Sequence, residues 1–361
     1  MKKTLFAALA LVSMASCSNE DVLEVAQKEA IGFDNAFVNN STRSVSDPST
    51  STNTIADFAV YGFVKGDATA TTSATLFNGV TVNKKIENDE LDATNPWNYK
   101  ATQYWIKDAV YNFAAVSPVE EQKWSVKTGT TPSPTGMELS FENTGTQDLL
   151  YAQLASPMTG LATNNPAVAF TFNHILSKVK FSFYNAYNAT AATIRVKEIK
   201  ITNAYKTGNV ALTASSTNWS NRSTDLVLDF GMATDNEATT DAKENEEVAY
   251  AYKATYESQK ELLLIPNTDT TEGAKDKYNV TFTVDLLVSG TLIKTYNHTA
   301  TVEFKPEPGK SYDIKAEINA GNIDPEKEQE AIEFTVTAIN GWDNPNGSTT
   351  DVNSTVNTSG N

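Results

Sequence analysis

From Ile55 onward the apolar residues of this chain recur mostly at every second position, the spacing of strands that bury one face. Val179, Phe181 and Phe183 share a face, with Lys178, Lys180 and Ser182 on the other. Val280, Phe282, Val284, Leu286 and Val288 repeat the pattern, as do Ala300, Val302 and Phe304. Tyr312, Ile314, Ala316 and Ile318 follow it, then Ile332, Phe334, Val336 and Ala338. Turn chemistry separates these runs at Thr207-Gly208-Asn209, Ser289-Gly290 and Pro308-Gly309-Lys310-Ser311. Between Ile194 and Ile201 the pattern changes phase, Ile194 and Val196 in one and Ile199 and Ile201 in the other, a slip that a β-bulge near Lys197-Glu198 absorbs. Many short strands and no long 3.6-residue period predict an all-β fold of antiparallel sandwiches rather than any βαβ arrangement.

The first 21 residues break the pattern. Lys2 and Lys3, the apolar run from Leu5 to Met14 and the small pair Ala15-Ser16 make a secretory signal, too short to span a bilayer. Cys17 follows at once and is the only cysteine, so no internal disulfide forms and the junction reads as a bacterial lipobox. Acyl chains on Cys17 contribute roughly 0.8 kcal/mol per buried CH₂, enough to hold a folded domain on a membrane. The acidic Ser18-Asn19-Glu20-Asp21 resembles the tag that directs lipoproteins to the outer face of some outer membranes. Beyond the leader about 345 residues remain, a length that suits two domains. A loop-like stretch from Thr159 to Pro166 marks the expected boundary, and the acidic stretches Asp235 to Glu247 and Asn267 to Lys277 read as solvated loops.

Charge narrows the partners. With 28 Lys plus Arg against 44 Asp plus Glu, the net charge is −16, which repels nucleic acid phosphates and excludes that class of ligand. Chemistry is sparse: the two histidines, His174 and His298, stand apart from any second His or Cys, and the chain has no GxSxG, Walker loop or HExxH. No enzyme activity, metal or cofactor is expected. Asp269, Glu272 and Asp276 offer calcium-type oxygens, but Gly273 is not at the sixth position of a DxDxDG loop, so a solvated loop is the expectation. Trp97, Tyr99, Tyr104, Trp105, Tyr111 and Phe113 suit either a sugar-stacking platform or, at strand spacing, a core; the core is the expectation.

Two segments stand out at the ends. Ile31-Gly32-Phe33 precedes the polar stretch NNSTRSVS, whose Arg43-Ser44 bond is where a trypsin-like protease cuts an exposed linker. At the other end, the well-patterned strand Ile332 to Ile339 leads to Asn340-Gly341-Trp342 and a polar tail, after a spacer from Asn319 to Gln329. A strand on such a tether pairs with its own domain or with a neighbour's exposed edge by the same main-chain hydrogen bonds.

These features taken in order resemble fimbrillin, the Mfa-like pilin family of Gram-negative oral and gut anaerobes. The resemblance rests on the lipobox, the opening from Ile31-Gly32-Phe33 to Thr42-Arg43, DFAVYGFV at 57–64, YWIKDAVYNFAAVSP at 104–118 and DLLYA at 148–152. It continues through FNHILSKVKFSF at 172–183, EFKPEPGKSYDIKAEI at 303–318 and IEFTVTAINGW at 332–342. It implies two transthyretin-like β-sandwich domains in tandem, with a lipoprotein signal at 1–17, an N-terminal propeptide strand at 18–43, domains at 44–162 and 163–342, and a polar tail at 343–361. It implies a cell-surface pilin anchored through Cys17 in the outer membrane and active in adhesion and biofilm formation. Cleavage between Arg43 and Ser44 would displace the strand centred on Ile31 and Phe33. A donor strand of another fimbrial subunit, here Ile332, Phe334, Val336, Ala338 and Trp342, would replace it. A surface adhesin that binds a receptor or glycan without polymerising, and a tip or anchor subunit, are the alternatives.

Overall fold

The computed structural model describes residues 29–38, 55, 57–84, 86–87, 90–91, 97–119, 123–127, 137–212, 217–234, 249–323, 330–339 and 349–352. The chain begins with β1 (Phe33–Val38), β2 (Asp57–Lys65), β3 (Ala74–Lys84), β4 (Ile86–Glu87), β5 (Glu90–Leu91), β6 (Trp97–Tyr99) and β7 (Val110–Ser117). It continues through β8 (Trp124–Lys127), β9 (Glu138–Glu142), β10 (Leu150–Gln153), β11 (Met158–Thr159), β12 (Val168–His174), β13 (Ser177–Asn185) and β14 (Ala192–Ala204). Next come β15 (Thr207–Leu212), β16 (Thr217–Ser223), β17 (Leu226–Gly231), β18 (Ala233–Thr234), β19 (Thr255–Ser258), β20 (Leu262–Leu264) and β21 (Asp276–Val288). Last are β22 (Thr291–Phe304), β23 (Ser311–Ile318), the short helix α1 (Ala320–Ile323), β24 (Phe334–Ile339) and β25 (Thr349–Val352). The fold is all-β, as the period-two pattern predicts.

The first sheet runs β1-β12-β10-β7-β2-β3-β6, with β11 also paired to β7. One face encloses an aromatic core that includes Phe58, Phe77, Trp97, Tyr111, Phe113 and Phe170. The other face, through Ala59, Tyr61, Phe63, Ala114 and Val116, packs on Leu139, Phe141, Val210 and Trp219 of a second sheet ordered β16-β15-β9-β8. A second sandwich sets β18-β19-β13-β23-β24-β25 against β17-β14-β21-β22. Its core joins Val179, Phe181 and Phe183 to Val280, Phe282 and Val284, with Ile314, Phe334 and Val336 alongside. Each predicted alternating run therefore buries the face its spacing assigns, except at Val288, the last residue of β21, which is 38% exposed.

The bulge forms where the phase slips. Pairing of β14 with β21 jumps from Lys197↔Thr283 to Lys200↔Thr281, and Glu198 takes φ 55°, a left-handed conformation rare for a residue with a Cβ. The extra residue turns Ile194, Val196, Ile199 and Ile201 all into one core.

Two expectations need correction. Strands do not sort at 162/163: β12 lies beyond that boundary yet pairs with β10 and β1, and β15 and β16 complete a sheet with β8 and β9. Gly160 and Pro166 lie on the connection between β11 and β12, two strands of the same sheet, and turn residues mark a chain reversal without saying whether it leaves a domain. Nor is the 267–277 stretch a solvated loop throughout. Asn267 and Asp276 are buried, and Asp276 takes hydrogen bonds from Arg222 Nη1 at 2.6 Å and Nη2 at 3.0 Å, with Asn267 Nδ2 at 3.1 Å and the Tyr278 hydroxyl at 3.2 Å. An acidic residue reads as solvated only until a buried partner is known, and Arg222 lies 54 positions away in sequence. The stretch 235–247 lies outside the described residues.

Candidate strand-binding groove at the N-terminal segment

Ile31 and Phe33 sit where a period-two strand puts alternate side chains, on one face, with 1% and 2% of their surface exposed. β1 runs parallel to β12, with Phe33 opposite Val168 and Val38 opposite Phe172, and an irregularity between Asp34 and Phe37. Just before β1 the backbone bonds to both sides. On one, Val168 N–H donates to the Gly32 carbonyl at 2.8 Å. On the other, Ile31 N–H donates to Gln103 O at 2.8 Å and Trp105 N–H to Glu29 O at 3.0 Å, around a bridge between Ala30 and Tyr104. Segment 29–33 therefore lies between β12 and the 103–105 segment, at the edge of the first sheet.

Side chains from five strands converge on it. The Phe33 ring centroid lies 5.7 Å from Phe58, 5.8 Å from Phe77, 5.5 Å from Tyr99, 6.5 Å from Phe113 and 6.1 Å from Phe170. Four of these pairs are edge-on and the Phe170 pair is stacked, the arrangements that ring quadrupoles favour. The Tyr99 hydroxyl donates to the Ile31 carbonyl at 2.8 Å and accepts from Gln103 N–H at 3.2 Å, and burial raises its pKa. At the outer end, Glu29 Oε2 accepts from Asn165 N–H at 2.9 Å and Nδ2 at 2.7 Å, and these bonds hold its carboxyl below the usual range. Burying Ile31 and Phe33 contributes roughly 3–6 kcal/mol, all of it through non-covalent contacts. Removing this strand would uncover an apolar groove lined by aromatic rings.

The remaining predicted residues fall into three groups. Cys17, Arg43, Ser44 and Trp342 lie outside the described residues. Ile332, Phe334, Val336 and Ala338 are each no more than 5% exposed, in the chain's own second sandwich. There β24 is flanked by β23 on one edge and β25 on the other, and Phe334 lies 6.0 Å from Phe181 and 5.8 Å from Phe282. The spacer before it is partly anchored: Ile323 is buried, and Asn322 Nδ2 donates to the carbonyls of Glu330 and Ala331. Of the six candidate platform aromatics, Trp97, Trp105, Tyr111 and Phe113 are buried in the core and Tyr99 is half-buried at the groove, while Tyr104 stands 43% exposed.

Elsewhere the polar residues have structural employment. His174 Nδ1 lies 2.6 Å from Asp148 Oδ2. Asp269 accepts from Thr271 N–H at 2.9 Å, and Glu272 is exposed. Among the described residues no three His, Cys, Asp or Glu side chains are grouped to hold a metal ion, and no helix is long and apolar enough to cross a membrane. Sequence reasoning missed Tyr99 as a groove residue, along with Glu29, Gln103 and Asn165. The alternation of Val168, Phe170 and Phe172 was the one signal that its partner strand faces a core.

The fimbrillin-like family profile matches residues 42–342. The chain belongs to the fimbrillin-like family. No curated protein sequence matches this fimbrillin-like chain. Among solved structures it is similar to a candidate cell adhesion protein from Bacteroides uniformis at 14% identity, covering 88% of this chain and 98% of that one, with a TM-score of 0.39. A second candidate cell adhesion protein, from Bacteroides ovatus, is 13% identical over 88% and 98%, with a TM-score of 0.44. The fimbrial anchor protein Mfa2 from Porphyromonas gingivalis is 12% identical over 87% and 98%, with a TM-score of 0.38.

Proposed function

We propose that this fimbrillin-like chain is a non-catalytic building block of a cell-surface fimbrium, delivered as a lipoprotein through Cys17 to the outer membrane and assembled by strand exchange, in support of adhesion and biofilm formation. A cut between Arg43 and Ser44 separates the 29–38 strand from the body. The observation that carries the reading is the seating of that strand: Ile31 and Phe33 are buried in the first core yet belong to a segment upstream of the cut. Once severed, the strand is held only by contacts that another strand of like pattern can make. The donor would be Ile332 to Trp342 of another fimbrial subunit, of the same or a homologous chain. Until the cut, the subunit's own strand fills its groove and the chain stays single.

A second reading, in which the subunit ends a fimbrium as tip or anchor, or acts as a solitary adhesin toward a receptor or glycan, draws on the position of β24. With both edges paired and Phe334 in the core, β24 needs a large rearrangement before it can be donated. Limited digestion of the pure precursor with a trypsin-like protease separates the two. The fimbrial-shaft reading expects a new N-terminus at Ser44 and a ladder of detergent-resistant oligomers, with Arg43→Ala remaining monomeric. Complete cleavage at Arg43 that leaves only monomers overturns it in favour of a terminal or solitary subunit.

A further inference from the structure

The groove holds one side chain in a ring cage and anchors one backbone carbonyl. Phe33 is enclosed by rings from β2, β3, β6, β7 and β12, so the pocket beneath that position is aromatic on all the sides that matter for packing. Two residues earlier Ile31 occupies the same core, and its carbonyl is held by the Tyr99 hydroxyl at 2.8 Å. Tyr99 is itself fixed, because its oxygen also accepts from Gln103 N–H. Gly32 between them admits a Cβ, which would meet Ala167 in ordinary contact at 3.9 Å, so the middle position tolerates a side chain. We infer that the groove selects its occupant by an aliphatic-x-aromatic pair, the ring cage around Phe33 acting as the specificity pocket that sets the register and the Tyr99 hydroxyl anchoring the backbone beside it.

This rests on the strand-exchange reading and goes beyond it by naming what an incoming strand must carry. A strand slips in steps of two residues without turning its apolar face outward, so side-chain alternation alone leaves several registers open. A single large aromatic pocket that only a ring fills well removes that degeneracy. The chain carries the same pair in its C-terminal segment: Ile332-Glu333-Phe334 matches Ile31-Gly32-Phe33 in spacing and residue type at both ends. A second copy of this chain is thus a chemically matched partner, with Phe334 directed to the cage and Ile332 to the Ile31 position.

The test uses the full chain cleaved at Arg43, with cleavage verified by mass spectrometry, and a fluorescent peptide of residues 29–38 exchanged in under mild denaturant. The labelled peptide is expected to be incorporated, and an unlabelled 331–339 peptide to compete with it. Peptide Phe33→Ala is expected to bind about thirtyfold more weakly or worse, the loss of a buried aromatic anchor. Protein Tyr99→Phe keeps the ring and the fold, and is expected to weaken the native peptide about three- to tenfold. Incorporation of wild-type and Phe33→Ala peptides with equal affinity, or a Tyr99→Phe protein that binds the native peptide as tightly as the parent, overturns the inference while strand exchange stands. Failure of every peptide to enter the fully cleaved chain overturns strand exchange itself.

Discussion

His298 shows how a single residue ties stability to pH. It is buried and stacked on Phe282 at 5.1 Å, and burial pushes its pKa down from 6.5 to about 4. The unfolded chain therefore takes up a proton near pH 6.5 that the folded chain refuses until about pH 4, so stability is lost as pH falls through that window. The loss from this one group is about 3 kcal/mol. Denaturant melts of the parent and of His298→Gln at pH 7 and pH 4.5 should show the parent losing the larger share; parallel losses would contradict the assignment. Asp313 acts in the opposite sense: burial raises its pKa against the Ser182 hydroxyl that donates to it, so its contribution declines as pH rises past its folded value. Residues of this kind were illegible beforehand. His298 lies in a strand whose alternation was plain, yet its protonation depends on burial, to which Phe282 of the neighbouring strand β21 contributes a stacked ring. Ile31 and Phe33 were legible because their chemistry is fixed by spacing, whereas Tyr99 took its role from a carbonyl 68 positions away.

At the level of elements, what the sequence makes visible is which face of a strand is buried, and what it leaves open is which strand lies alongside. The bulge in β14 belongs to the first kind. Ile194 and Val196 share one phase and Ile199 and Ile201 the other, and only one extra residue reconciles them. Deleting Glu198 removes that residue, restores a two-residue step between Val196 and Ile199 and leaves all four side chains on the core face. Were either pair turned to solvent instead, its two side chains would cost about 3–6 kcal/mol. A deletion variant that unfolds close to the parent's midpoint is the expected result; a fall of that size would show that the bulge does more than keep the two phases together. The membership of β12 and β15 belongs to the second kind. Their own alternation is unambiguous, but the choice between sheets is settled by distant partners, β10 and β1 for the one and β9 for the other.

For the whole molecule the decisive contacts are those that join the two sandwiches. Trp219 of the first sandwich donates its backbone N–H to Thr268 Oγ1 at 2.7 Å, and Asn143 Nδ2 reaches Leu263 O at 2.9 Å. Arg222 on β16 clasps Asp276 at the start of β21, and its guanidinium lies 4.1 Å from the Tyr205 ring centroid. Asp276 is buried against Arg222, so removal of the arginine leaves its carboxyl group with hydroxyl and amide donors but no counter-ion. Breaking such a buried pair from one side costs about 3–5 kcal/mol. The cost falls at the seam, and the two hydrophobic cores on either side of it remain intact. Arg222→Ala should therefore turn one calorimetric unfolding transition into two, the second sandwich melting apart from the first. A variant that still unfolds in one step at the parent's midpoint would mean that the Trp219 and Asn143 contacts alone bind the halves together and that the ion pair is incidental to the coupling.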